Sequence, residues 1–99
     1  MKFAQIIDLE TERLDDIEQL LEDVKQRRAG QEGGPTHRIL LKDRDTPGRY
    51  LSLIEFDSYE EAMRNSEHPE TTKMAEQLAE LCTRPPRFVN CDLLDSSDL

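Results

Sequence analysis

The feature that most restricts this chain is the way its hydrophobic spacing changes along its length. Short runs that send apolar residues to both faces of a strand occupy 3–8, 37–41 and 50–56, and apolar residues recur at helical spacing over 14–24. A helical pattern then runs over 59–82, interrupted at Pro69, and a last strand-like run covers 88–94. The order is β, α, β, β, α in two pieces, β, which is the split βαβ arrangement of an α+β, ferredoxin-like fold. Right-handed crossovers place the first and third strands at the centre of an antiparallel sheet ordered 4-1-3-2, with the helices on one face.

Local signals fix the punctuation. Thr11 is the expected N-cap of a helix whose stripe is Leu14, Ile17, Leu21 and Val24, widened by Leu20. Lys25, Arg27 and Arg28 suit its negative end, and Ala29-Gly30 closes it. A flexible connection at 31–35 leads into a strand over 36–41. Thr46-Pro47-Gly48-Arg49 has the Pro-Gly centre of a type II turn and opens a hairpin into Arg49–Phe56. Ser58 and Glu61 have capping-box spacing, so the second helix is expected to start at Tyr59. Pro69 cannot continue that helix but suits the first turn of a new one carrying Met74, Leu78 and Leu81. Arg84-Pro85-Pro86-Arg87 is an extended connector to the last strand. Residues 1–94 thus form one domain, and the acidic tail at 95–99 is expected to fray.

Neither face of the central strands is polar. Phe3, Gln5 and Ile7 oppose Ala4, Ile6 and Asp8, while Tyr50, Ser52, Ile54 and Phe56 oppose Leu51, Leu53 and Glu55. Helices on one side would leave the other bare, and a second copy of the chain is the economical cover. Composition points the same way: an apolar share of 35% is below the roughly 45–50% of typical globular chains, so a lone protomer has a thin core.

Charge and cysteine usage exclude several classes. A formal net charge of -9 opposes phosphate-backbone binding, so no nucleic-acid partner is expected. There is no signal-like apolar stretch at the start and no run long enough to cross a membrane, which gives an expectation of a cytoplasmic protein without membrane contact. Cys82 and Cys91 match no metal spacing and read as small core residues. His37 and His68 also lack ligand spacing, so neither a metal site nor a cofactor is expected.

The passage from Tyr50 through Phe56 to Ser58-Tyr59-Glu60-Glu61-Ala62-Met63, followed by the break Asn65-Ser66-Glu67-His68-Pro69-Glu70-Thr71, resembles the dimeric α/β barrel superfamily, and within it the antibiotic-biosynthesis monooxygenase-like domains. The resemblance spans about residues 2–94. It implies a homodimer built by facing sheets, with a pocket between sheet and helices in each protomer. It leaves two functions open: a domain that binds a small apolar or aromatic molecule, or a cofactor-independent monooxygenase acting on an aromatic substrate. Haem breakdown is disfavoured, because the chain lacks the tryptophan of the Asn, Trp and His set associated with that branch.

His68, beside Pro69 at an expected helix start, is the candidate general base; its competing assignment is a loop residue bonded to backbone. Gln5, Ser52 and Asn90 are expected to form a polar row among aromatic neighbours such as Phe56, lining a ligand site or pairing across the dimer interface. In the oxygenase reading Asn90 or Gln5 would stabilise an enolate. His37 at a strand start and Tyr50 as a hydrogen-bond donor complete the candidate ligand-binding set. Arg49 and Arg87 are expected to meet carboxylates of the acidic partner protomer.

Overall fold

In the computed structural model, which describes residues 1–99, the elements are β1 (Phe3–Glu10), α1 (Leu14–Arg27), β2 (His37–Lys42), β3 (Arg49–Phe56), α2 (Tyr59–Glu67), α3 (Pro69–Glu80) and β4 (Arg87–Asp92). The strands form one antiparallel sheet ordered β2-β3-β1-β4, which is the expected order counted from the other edge. β1 and β3 are central because each finds two neighbours; β2 and β4 are edges. The final residues, 95–99, belong to no helix or strand and are exposed.

Register assigns the faces. Phe3 pairs with Phe56, Gln5 with Ile54, Ile7 with Ser52 and Leu9 with Tyr50, while Gln5 and Ile7 pair on the other side with Asn90 and Phe88. Paired residues share a face, so these side chains form one surface. The helices cover it: Ile17 of α1 and Leu78 of α3 pack with Ile7 and Leu9, and Ala62 of α2 packs with Phe3 and Phe56. The core is therefore two clusters, one towards each end of β1.

No element of the chain covers the opposite face. It presents Ile6 beside Leu53 and Val89, and Ile39 and Leu41 beside Leu53 and Leu51. Ile39 and Leu41 are 43% and 46% exposed. A charged end borders this apolar surface. Arg49 donates to both Asp8 oxygens at 3.1 and 3.0 Å and to Asp43 Oδ2 at 2.8 Å, while Arg84 donates to Asp8 Oδ1 at 2.9 Å. Arg49, expected to meet carboxylates of a partner protomer, is engaged by carboxylates of its own chain, because the turn at Pro47-Gly48 returns the chain beside Asp43 and β1 brings Asp8 alongside.

The turn itself behaves as expected. Gly48 has φ 81°, a conformation side chains rarely adopt, and the Arg49 amide donates to the Thr46 carbonyl at 3.2 Å. Pro69 opens α3, where its missing N–H costs no helical bond.

Two capping expectations need correction. Helix α1 begins three residues after Thr11, and Arg13 occupies its N-cap without a side-chain bond. Thr11 is buried instead; its hydroxyl accepts from the Arg13 amide at 2.9 Å and donates to the Leu81 carbonyl at 2.6 Å. That bond ties the end of β1 to the end of α3. Ser58 does cap α2, accepting from the Glu61 amide at 3.1 Å. Glu61, however, pairs with Arg64 rather than reaching back to the Ser58 amide. No helix is long and apolar enough to cross a membrane.

Candidate functional site

Between the two core clusters the helices do not close on the sheet. A cavity of about 610 Å³ remains there, within the range of small-molecule sites. Its floor is the helix-facing sheet surface at Gln5, Ile7, Ile54, Phe56 and Phe88. One wall is α1 at Leu21, Val24 and Arg28. The other is the break between α2 and α3, which contributes Asn65 and Thr71, with Met74 and Ala75 beyond it.

The break explains the space. An unbroken helix would continue past Glu67, but Pro69 forces a restart, with His68 extended at φ −70° and ψ 132°. The small side chain of Ala75 leaves further room. At the mouth runs the 31–35 loop, close enough to α2 that a Cβ on Gly33, at φ +77°, would fall 2.8 Å from Glu61 Oε2. Only glycine allows that approach without displacing its neighbour.

Of the residues singled out by sequence, Gln5, His37 and Phe56 line the cavity. Asn90 adjoins it: the Gln5 Nε2 donates to Asn90 Oδ1 at 3.0 Å, so the two amides form a cross-strand pair. Tyr50 and Ser52 share the same sheet face but are not in the lining, although Ser52 is the cross-strand partner of Ile7 in the floor. Ser52 is 3% exposed, and Tyr50 packs against the cluster around Ile17 and Leu78. His68 is outside the lining as well. Its Nδ1 accepts from the Glu70 amide at 3.1 Å, so the imidazole serves as the N-cap of α3.

The residues that sequence reasoning passed over are Arg28, Asn65 and Thr71. Arg28 Nη1 donates to Asn65 Oδ1 at 2.6 Å and to Thr71 Oγ1 at 3.2 Å, joining α1 to both sides of the break. In sequence Arg28 looks like an ordinary basic helix end, and nothing in its spacing marks it as turned inward. Asn65 and Thr71 flank Pro69, and that position was the available signal.

The chemical repertoire of the lining is narrow. It offers amides, hydroxyls, the Arg28 and Arg38 guanidinium groups, the Lys25 amine and the His37 imidazole, with no cysteine, serine or carboxylate. Cys82 packs at the core, where burial pushes its thiol pKa up, the opposite of an activated nucleophile. The strongly perturbed carboxyl is Asp8, held down at about 2 chiefly by its hydrogen bonds from Arg49, with Arg84 adding to the effect against the cost of burial. That cluster is on the uncovered sheet face and shares no residue with the cavity. A second hollow of about 440 Å³ between α1 and β2 is lined by Asp15, Glu18, Gln19, Glu22 and Arg38, with only Leu21 and Leu40 apolar. Such a polar wall suits water better than an apolar ligand.

No protein-family model matches the sequence, and no curated protein matches it. Solved structures do. A candidate antibiotic biosynthesis monooxygenase from Caulobacter crescentus CB15 superposes with a TM-score of 0.78 at 12% identity, covering 95% of this chain and 91% of its own. The chain has the fold of the antibiotic-biosynthesis monooxygenase-like proteins. SnoaB from Streptomyces nogalater, described as a cofactor-independent oxygenase, gives a TM-score of 0.78 at 16% identity over 96% of this chain and 95% of its own. Rv0793 from Mycobacterium tuberculosis gives 0.74 at 20% identity over 99% and 100%. The monooxygenase-like fold therefore persists at identities where individual site residues are free to differ, and function must be argued from the site.

Proposed function

We propose that this chain is a homodimeric small-molecule-binding protein that holds an apolar or aromatic molecule between its sheet and the break in its helices. The observation that carries this reading is the cavity itself, with an apolar floor of Ile7, Ile54, Phe56 and Phe88 and a few polar groups at its edges. The uncovered sheet face, with Ile6, Leu53 and Val89 adjacent in register, supports the dimer. Two-ring aromatic compounds should raise the melting temperature of the wild-type protein. Ala75→Phe, which fills the cavity from α3, should lose that response and keep the dimer. Failure of every such compound to bind, or undiminished binding by Ala75→Phe, would overturn the reading.

A second reading is a cofactor-independent oxygenase acting on a phenolic aromatic substrate. The Gln5–Asn90 amide pair beside an apolar floor favours it, since amide N–H groups can stabilise an enolate. His37 is the imidazole in the lining, and takes the role that sequence reasoning gave to His68. One oxygen atom would enter the product and the other leave as water, the electrons coming from the substrate. Oxygen uptake on adding a polycyclic phenol, lost in His37→Ala, is the test; uptake retained by that variant would remove His37 from the mechanism.

A further inference from the structure

Acids outnumber bases 22 to 13 in this chain. The cavity reverses that balance: Lys25, Arg28 and Arg38 line it together with His37, and no Asp or Glu does. Such a reversal is not a property of the surface at large, where the excess acid is distributed over α1, α2 and the tail.

Arg28 is the informative member. It is half-buried at the C-cap of α1, and its Nη1 bonds only to the neutral oxygens of Asn65 and Thr71. No carboxylate pairs with it. Of the acids near the break, Glu61 pairs with Arg64 and Glu70 with Arg27, and Glu67 is exposed and outside the lining. Lys25 has no ion pair either. Arg38 faces two ways, since it also borders the hollow lined by Asp15, Glu18 and Glu22.

A guanidinium held by neutral acceptors in a half-buried position has given up part of its hydration without gaining a counter-charge. Its fork is nonetheless fixed in direction by bonds from two different helices. That is the preorganisation a planar anion requires, because Arg recognises carboxylates by paired parallel N–H donors. Mutual repulsion with Lys25 adds to the benefit of an anion arriving between them.

We infer that the ligand of this cavity is an aromatic or apolar molecule bearing a carboxylate or equivalent anionic group, which docks on Arg28 with Lys25 beside it while the ring system rests on the sheet. This rests on the cavity reading above and narrows it to a ligand class. Phe88, Phe56 and Ile54 contact the rings; Arg28 discriminates by charge.

The test uses 2-naphthoate and its neutral counterpart 2-naphthamide, titrated calorimetrically into the full-length wild-type protein. Naphthoate should bind about tenfold or more tighter than the amide. Its affinity should fall between roughly 50 and 500 mM sodium chloride while that of the amide holds, because only the charged ligand is screened. Arg28→Gln should bring naphthoate to the level of the amide, and Lys25→Gln, on the exposed helix surface, should weaken naphthoate alone by a smaller factor. Equal, salt-independent binding of both compounds to the wild type would overturn the anion inference and leave the cavity reading standing. Binding of neither would overturn both. The salt and ligand comparisons need no variant, so a folding defect in Arg28→Gln cannot obscure the answer.

Discussion

Gln5 on β1 donates its side-chain N–H to Asn90 on β4 at 3.0 Å, across a register in which the two residues are direct partners. The bond aligns two amides along the sheet edge of the cavity. Since Asn90 is exposed, water can replace the lost partner, and Gln5→Leu should cost under about 1 kcal/mol in urea denaturation. Ligand affinity should change by more than stability does, and the two measured on one variant separate a binding role from a structural one.

His68 should behave as a cap. Removing its Nδ1 acceptor in His68→Ala leaves the Glu70 amide without its partner and should cost about 0.5–2 kcal/mol, as other N-cap losses do. Binding of an aromatic ligand should be unaffected. An intact melting curve combined with lost binding would return His68 to the site.

The core makes a sharper demand. Ile17 is fully buried between β1 and α3, and Ile17→Ala should destabilise by about 2–5 kcal/mol through the transfer and cavity contributions. Denaturation midpoints give the value directly. A cost under about 1 kcal/mol would mean the helices collapse onto the gap more readily than this packing implies.

Acid should act through Asp8. Its carboxyl pKa is lowered in the folded protein to about 2, first by hydrogen bonds from Arg49, so the contribution to stability is complete above the ordinary carboxylate pKa and is lost as pH falls from there towards 2. Stability followed over that window should decline in the wild type. Asp8→Asn, which cannot titrate, should be less stable near neutrality and should show a shallower decline.

Association should depend on the uncovered sheet face. Wild-type protein should scatter light as a species of twice the chain mass at micromolar concentration. Leu53→Asp puts a charge at the centre of the apolar surface beside Ile6 and Ile39, and should shift the population to monomer. A monomeric wild type would sink the dimer.

Sequence reasoning reached the fold because strand-length apolar runs and helical spacing mark most elements, and because Ser58, Pro47-Gly48 and Pro69 fix the punctuation between them. It expected Gln5, Ser52 and Asn90 to share one surface with Phe56, and the register between β1, β3 and β4 puts them there. Alternation says nothing of position along a strand, so it did not separate Tyr50, which packs against the Ile17 cluster, and the buried Ser52 from the residues that line the cavity. Where the helices leave space depends on how α1 and α3 settle over the sheet, and no single segment encodes it. Arg28 was missed for the same reason: a basic residue at a helix end has a sufficient local explanation, and only the folded chain shows what it turns towards. Thr11 was misplaced because capping propensity cannot foresee a competing partner some seventy residues away at Leu81.

The bond from Thr11 to the Leu81 carbonyl belongs to the same end of the molecule as Ile17 and Leu78, whereas Arg28, Asn65 and the 31–35 loop belong to the end where α1 finishes and α3 begins. The residues that hold the protein together and most of those at the cavity's polar rim are thus largely separate sets. Mutation can therefore explore the loop side of the rim while leaving the Ile17 and Leu78 core untouched. A lineage carrying this architecture could exchange one guest molecule for another while its scaffold stayed the same, and sequence would drift fastest where chemistry is decided.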